Sequence, residues 1–232
     1  MSNLSGPINL IKKSFKFFFE KKNLIYFLKI YSPLIVLAVI SFLQSRFFIL
    51  QTKQLTTPES YLALSRNPLL ILPGLGLGIL SIIVSVWVGA AGIKAVDSLA
   101  SGKTPPVREI YSFAWNKAWG LFLLGLLLFL IIIGGAILLI IPGIIFSVWF
   151  SFSKFIYLYE GSGIKESLGK SKELVKGRFW PVTGRLFVIG LLMGIFQSLV
   201  SWIPFLGYIL SAALGALILL PYYFLYMELK AR

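Results

Sequence analysis

Apolar residues in this chain come in long blocks, not in the short alternating or one-sided patterns of soluble elements. Crossing the ~30 Å hydrocarbon layer of a bilayer takes roughly 20 residues of helix. Six blocks qualify, at 25–45, 70–93, 119–141, 143–159, 182–202 and 205–227. The fourth is the shortest, and its helix is expected to continue a little past Tyr159 into the headgroups. A buried core helix could explain one such block, but not six within 232 residues. The expected fold is therefore all-α, a polytopic transmembrane helical bundle. Residues 1–232 form a single integral membrane domain, with little chain left for a soluble one.

The segments between blocks change period. Ile8, Ile11, Phe15 and Phe18 recur at helical spacing while Lys12, Lys13, Lys16 and Glu20 lie off that stripe. Val107, Ile110, Tyr111, Ala114 and Ala118 repeat the pattern against Arg108, Glu109, Asn116 and Lys117. Ile164, Leu168, Ser171 and Val175 do so against Lys165, Glu166, Lys172, Glu173 and Lys176. Helices of this kind lie in the membrane interface, held by apolar burial and by attraction to acidic lipids. The six spans thus sort into three hairpins, each preceded by an amphipathic interfacial helix, with 1–23 and 163–178 read as cytoplasmic ones.

The outer turns repeat too. Leu72-Pro73-Gly74, Ile141-Pro142-Gly143 and Ile203-Pro204-Phe205-Leu206-Gly207 each open the second helix of a hairpin. Proline suits a first helical turn, where its missing N–H is no loss. Small residues follow at four-residue spacing: Gly74, Gly78, Ser81, Ser85 and Gly89, then Gly143, Ser147 and Ser151, then Gly207, Ser211 and Gly215. The fifth span carries Gly190, Gly194 and Ser198. Lipid gives no hydrophobic drive between helices, so small faces mark expected packing contacts. The first hairpin differs in its long polar outer connection, about 46–69.

Charge fixes the expected orientation. Lysine and arginine number 22 against 8 acids, a net charge of +14. All but Arg46, Lys53 and Arg66 fall on the side that holds both termini. The positive-inside rule makes that side the cytoplasm, and a prokaryotic cell membrane is the expected location. Beside apolar spans, so basic a chain points to anionic headgroups rather than nucleic acid. Lys29, Lys154 and Arg185 lie at span edges, where long side chains snorkel to the surface; the competing reading is a binding cation in a cavity. The lysines near the N-terminus break up any signal-peptide core, so the first span is expected to be retained.

The stretch Ile164-Lys165-Glu166-Ser167-Leu168-Gly169-Lys170-Ser171, running through Leu174-Val175-Lys176-Gly177-Arg178-Phe179-Trp180, resembles the membrane domain of the glycerophosphodiester phosphodiesterase type. Related six-span prokaryotic proteins, largely uncharacterised, share it. The Ile140–Ile144 turn and the segment 95–106 fit the same pattern. In the phosphodiesterases catalysis belongs to a separate soluble barrel that uses histidine, acids and a divalent metal. This chain has no histidine and no room for a barrel, so the resemblance implies only a membrane module.

Chemistry has little to work with. Cysteine and histidine are both absent, which removes thiolate and imidazole ligands and the usual nucleophile–base pairs. None of Glu20, Glu59, Asp97, Glu109, Glu160, Glu166, Glu173 and Glu228 lies near the bilayer centre. Glu166–Lys170 and Glu228–Arg232 have the spacing of ordinary helix pairs, and Asp97 is placed to neutralise a neighbouring lysine. Gly74–Gly78 lacks the lysine and hydroxyl of a phosphate loop. No enzyme activity, cofactor or metal is expected.

The leading expectation is a non-catalytic module whose basic helices bind anionic lipids or a cytoplasmic partner. Lys165, Lys170, Lys172, Lys176 and Arg178 would do so, with the interfacial aromatics Phe179 and Trp180. The alternative is a small transporter, channel or lipid-passage protein. It would use Gln197, the serine stripes, or carbonyls freed beside Pro33, and a polar cavity reaching Gln197 would favour it. The small faces would also permit oligomers.

Overall fold

The computed structural model describes residues 4–52, 57, 68–203 and 206–231. Among them the chain is helical with no strand: α1 (Pro7–Phe19), α2 (Lys21–Thr52), α3 (Pro68–Ala100), α4 (Val107–Leu138), α5 (Ile140–Trp149), α6 (Ser153–Tyr159), α7 (Ile164–Val175), α8 (Phe179–Ser201), α9 (Leu206–Ala213) and α10 (Gly215–Lys230). Six stretches are long and apolar enough to cross a membrane: α2, α3, α4, the α5–α6 pair, α8, and α9–α10. The chain is a multi-pass membrane protein.

Several boundaries differ from the sequence reading. Helix α2 runs on through 46–52, so that part of the outer connection is helical; most of the rest, with the Pro204 turn, lies outside the described residues. The second basic segment is the start of α4, continuous with its span. Its expected stripe does turn inward, with Ile110 and Ala114 buried. The fourth span breaks at 150–152 and stops at Tyr159, where Gly161 takes a left-handed φ of 66°. The sixth span breaks at Leu214 and continues to Lys230.

Neighbours in sequence are neighbours in space. Each span packs on the next, and α9 returns to α2, closing a ring. Helix α10 also packs on α3, so the last span leans inward. It is the most enclosed span, with 50% of its apolar stretch buried against 17% for α8. Tyr31 fills the crossing. A Cβ on Gly92 of α3 or Gly215 of α10 would run into its ring, so only glycine lets both helices approach this tyrosine.

Pro33 leaves α2 unbroken. A proline removes the donor that would serve the carbonyl four residues back, here that of Lys29. Ser32 Oγ donates to that oxygen at 2.8 Å. Tyr111 Oη of α4 approaches it at 3.2 Å and donates to Ile30 O at 2.9 Å. The freed carbonyl is therefore occupied, against the expectation that it could line a pathway.

Candidate functional site

Six spans bring both ends of the described chain, and most of its charge, to one end of the bundle. Helix α7 lies there, with Ser167, Ser171 and Val175 buried and Ile164 and Leu168 half-buried. Gly177, at φ 80°, ends the helix, and Arg178 N donates back to Val175 O at 3.0 Å. The chain then turns directly into α8. Ser171 does more than fill a stripe: its hydroxyl donates to Trp149 O at 2.7 Å and accepts from Phe152 N at 3.2 Å. It thereby joins both sides of the break between α5 and α6. No spacing in the sequence signals this bond.

The cations singled out on α7 separate into two kinds. Lys170 is committed internally, at 3.1 Å from Glu160, 2.8 Å from Glu166 and 3.0 Å from Ser162 Oγ. Lys172 stands 4.4 Å from the centre of the Trp149 ring. Lys165 and Lys176 are exposed. Phe179 packs half-buried on the core, whereas Trp180 is 79% exposed. The expected five-cation patch is therefore smaller than its sequence, because Lys170 is neutralised by carboxylates from two segments.

Glu160 is the centre of that neutralisation. It accepts from Lys230 at 2.9 Å, from Lys170 at 3.1 Å and from Tyr226 Oη at 3.2 Å. The Lys230 hydrogen bond, with Lys170 adding to it, holds its carboxyl below the usual range despite partial desolvation. Lys170 lowers Glu166 likewise, and the Glu166 and Glu160 carboxylates raise Lys170. One turn deeper, Asp97 pairs with Lys94 at 3.7 Å and accepts from Tyr223 Oη at 3.3 Å. Tyr159 Oη donates to Ile93 O at 2.8 Å. Together these contacts tie α3, α6, α7 and α10 into one polar seam.

Arg185 is tied to the N-terminal segment. Its Nε donates to Ser5 O at 2.9 Å and its Nη2 to Leu4 O at 2.8 Å. Ser5 N donates to Glu228 at 3.0 Å, so Glu228 holds the N-terminal segment; its expected partner Arg232 lies outside the described residues. Helix α1 then packs on α8 and α10, with Phe15 edge-on to Phe196 and Phe17 edge-on to Phe224. Its buried face is Leu10, Ser14 and Phe18, with Ile11 and Phe15 half-buried and Ile8 57% exposed. The expected stripe is thus rotated by about one position. Lys12, Lys13 and Lys16 remain exposed, as do Lys21 and Lys22 at the corner into α2.

The small residues named for packing also divide. Gly143 meets Ala136 and Gly207 meets Val200 O, each too close for a Cβ. Gly215 meets Tyr31, and a Cβ on Gly190 would stand 3.5 Å from Tyr222 Oη. Nothing described lies within 4 Å of a Cβ on Gly78 or Gly194, Gly74 touches only Gln44, and Ser147 is exposed. Ser211 is half-buried. Among the small residues named for packing, close contact is confined to the turns and to Tyr31.

Between α3, α4 and α10 lies an open cavity of about 840 Å³, completed by Tyr31 of α2 and Lys154 of α6. Its lining is apolar apart from Ser85, Lys154 and the two phenols Tyr31 and Tyr222. Gln197 is not part of it; its Oε1 is buried elsewhere without a hydrogen-bond partner among the described residues. No known protein family, curated protein or solved structure matches the chain.

Proposed function

We propose that this chain is a non-catalytic module of the cell membrane, seated with both termini in the cytoplasm, whose basic end binds anionic lipid headgroups. The supporting observation is the division of its cations. Lys94, Lys170, Lys230 and Arg185 are held by carboxylates or carbonyls. Lys12, Lys16, Lys21 and Lys22, with Lys165 and Lys176, are exposed and carry no ion pair among the described residues. Each lysine near an acidic membrane surface contributes about 1 kcal/mol of attraction. This moves the weight of the site from α7 to α1 and its corner. Among the described acids, Glu20, Asp97, Glu160, Glu166 and Glu228 are engaged by lysine, amide or hydroxyl donors, which suits a structural role. The likeness to the membrane domain of the phosphodiesterase type agrees with such a module.

Transport of a hydrated solute has less support, since the cavity is largely apolar and excludes Gln197. The test is thermal unfolding of the protein in nanodiscs of phosphatidylglycerol or phosphatidylcholine. Wild type should be more stable in the acidic lipid. A variant with Lys12, Lys16, Lys21, Lys22, Lys165 and Lys176 changed to Gln should lose most of that difference. Equal stability of wild type in both lipids would sink the headgroup reading. A soluble protein that co-purifies with wild type, but not with the variant, would make the basic end a partner site instead.

A further inference from the structure

We infer that the cavity between α3, α4 and α10 holds one acyl chain of an anionic phospholipid of the inner leaflet, with Lys154 paired to its headgroup phosphate. The site uses none of the surface lysines of α1 and α7, so this inference and the surface reading can fail separately.

The lining has a direction. Helix α4 runs away from the basic end and α3 and α10 run toward it, so Leu121, Ile93 and Tyr222 lie nearer that end than Phe129, Ile82 and Gly215. Lys154 lies six residues, under two helical turns, before Glu160 of the polar seam. The one cation of the cavity therefore sits toward the basic end, and the deeper part, which carries no charge, points to the bilayer centre. From Ile93 to Ile82 is about 16 Å of helix, close to half the ~30 Å hydrocarbon thickness. A lipid of the adjoining leaflet has this polarity and this length.

Charge decides the headgroup. Lys154 is exposed, with no ion pair, hydrogen bond or ring contact among the described residues. An uncompensated ammonium at membrane depth is unfavourable and pairs where it can. The lining offers no carboxylate, so the counter-charge must come with the occupant. Nor is the space a packing accident. Nothing lies within 4 Å of a Cβ on Gly89 or Gly125, both lining residues. A Cβ at either position would meet only open space, and the sequence leaves it out. The volume of about 840 Å³ falls within the 300–1,000 Å³ typical of small-molecule sites.

The test uses the full chain in nanodiscs of equal phosphatidylglycerol and phosphatidylcholine, released into mild detergent and weighed by native mass spectrometry. Wild type should retain one phosphatidylglycerol per chain. Lys154→Gln should lower the preference for the acidic lipid about tenfold, the size of one charged hydrogen bond, and Lys154→Arg should keep it. Gly125→Leu should remove the bound lipid. An unchanged adduct in Gly125→Leu, an unchanged preference in Lys154→Gln, or a free fatty acid in place of phospholipid would overturn the assignment. A second measurement needs no variant: phosphatidylglycerol with a photoreactive acyl chain should label Ile82, Ser85 or Leu126 in wild type. Labelling confined to residues outside the lining, such as the exposed Phe187 of α8, would also overturn it.

Discussion

Gly135 and Gly143 meet across the single extended residue that joins α4 to α5. A Cβ on Gly135 would stand 3.1 Å from the backbone nitrogen of Gly143, and one on Gly143 only 2.9 Å from the Cβ of Ala136. Leu139 makes the whole reversal, at φ −161° and ψ 139°. With so short a link the two helices start in contact, and only hydrogen side chains fit. Gly143→Val should lower stability by about 1–3 kcal/mol through overpacking, read as a fall in thermal midpoint in detergent. Gly78→Ala, with no neighbour within 4 Å, should change it little.

Removing the Ser171 hydroxyl leaves Trp149 O and Phe152 N without its bond at the break in the fourth span. Ser171→Ala should cost about 1–3 kcal/mol. Hydrogen exchange should rise at 150–153 and stay unchanged in α3. Uniform exchange across the bundle would mean that the break is held by something else.

Acid should loosen the polar seam. Glu160 and Glu166 have folded values below their ordinary ones, so their stabilisation is present above about pH 4.3, the unfolded glutamate value. It is lost as the pH falls through the lower folded values. Lys170 is raised, so its share is complete below about pH 10.4 and disappears only above that. Stability should be level from about pH 5 to 9 and drop below about pH 4. Glu160→Gln should flatten the acid limb, and a limb identical to wild type would contradict the role given to Glu160.

Arg185→Gln should free the N-terminal segment by removing the donors to Leu4 O and Ser5 O. Amides of 5–12 should exchange faster, and limited proteolysis should reach α1 before any span. If α1 stays as protected as in wild type, its aromatic contacts with α8 and α10 hold it unaided.

Orientation can be read directly, because the chain has no cysteine to remove. Lys103→Cys and Lys176→Cys should be shielded from an impermeant maleimide in intact cells, while Thr57→Cys reacts. The reverse pattern would invert the topology and place the basic end outside.

How far the site was legible varies with the range of the interaction. Glu166–Lys170 lies four residues apart on one helix and could be read at once, as could the Lys94–Asp97 neighbour pair. Glu160 with Lys230, Arg185 with Ser5 and Ser171 with Trp149 join positions far apart in the chain. No periodicity reveals them, so Lys170 read as paired with Glu166 alone when Glu160 holds it as well, and Lys154 read as one of three snorkelling cations when it lines a cavity. The small-residue stripes divide in the same way. A four-residue repeat says which side of a helix is small, but not whether another helix stands there.

The sequence by itself determined the helical membrane fold, the six spans and the gathering of basic residues at one end. Transfer of a segment into hydrocarbon depends on its own side chains and backbone, and such local terms add along the chain. Only the tertiary structure decided that the spans close into a ring with α10 leaning inward, that Ser171 bridges the broken fourth span, and which cations are consumed. Those outcomes depend on which distant groups come within a few ångströms of one another, and that proximity is set by packing rather than by any one segment.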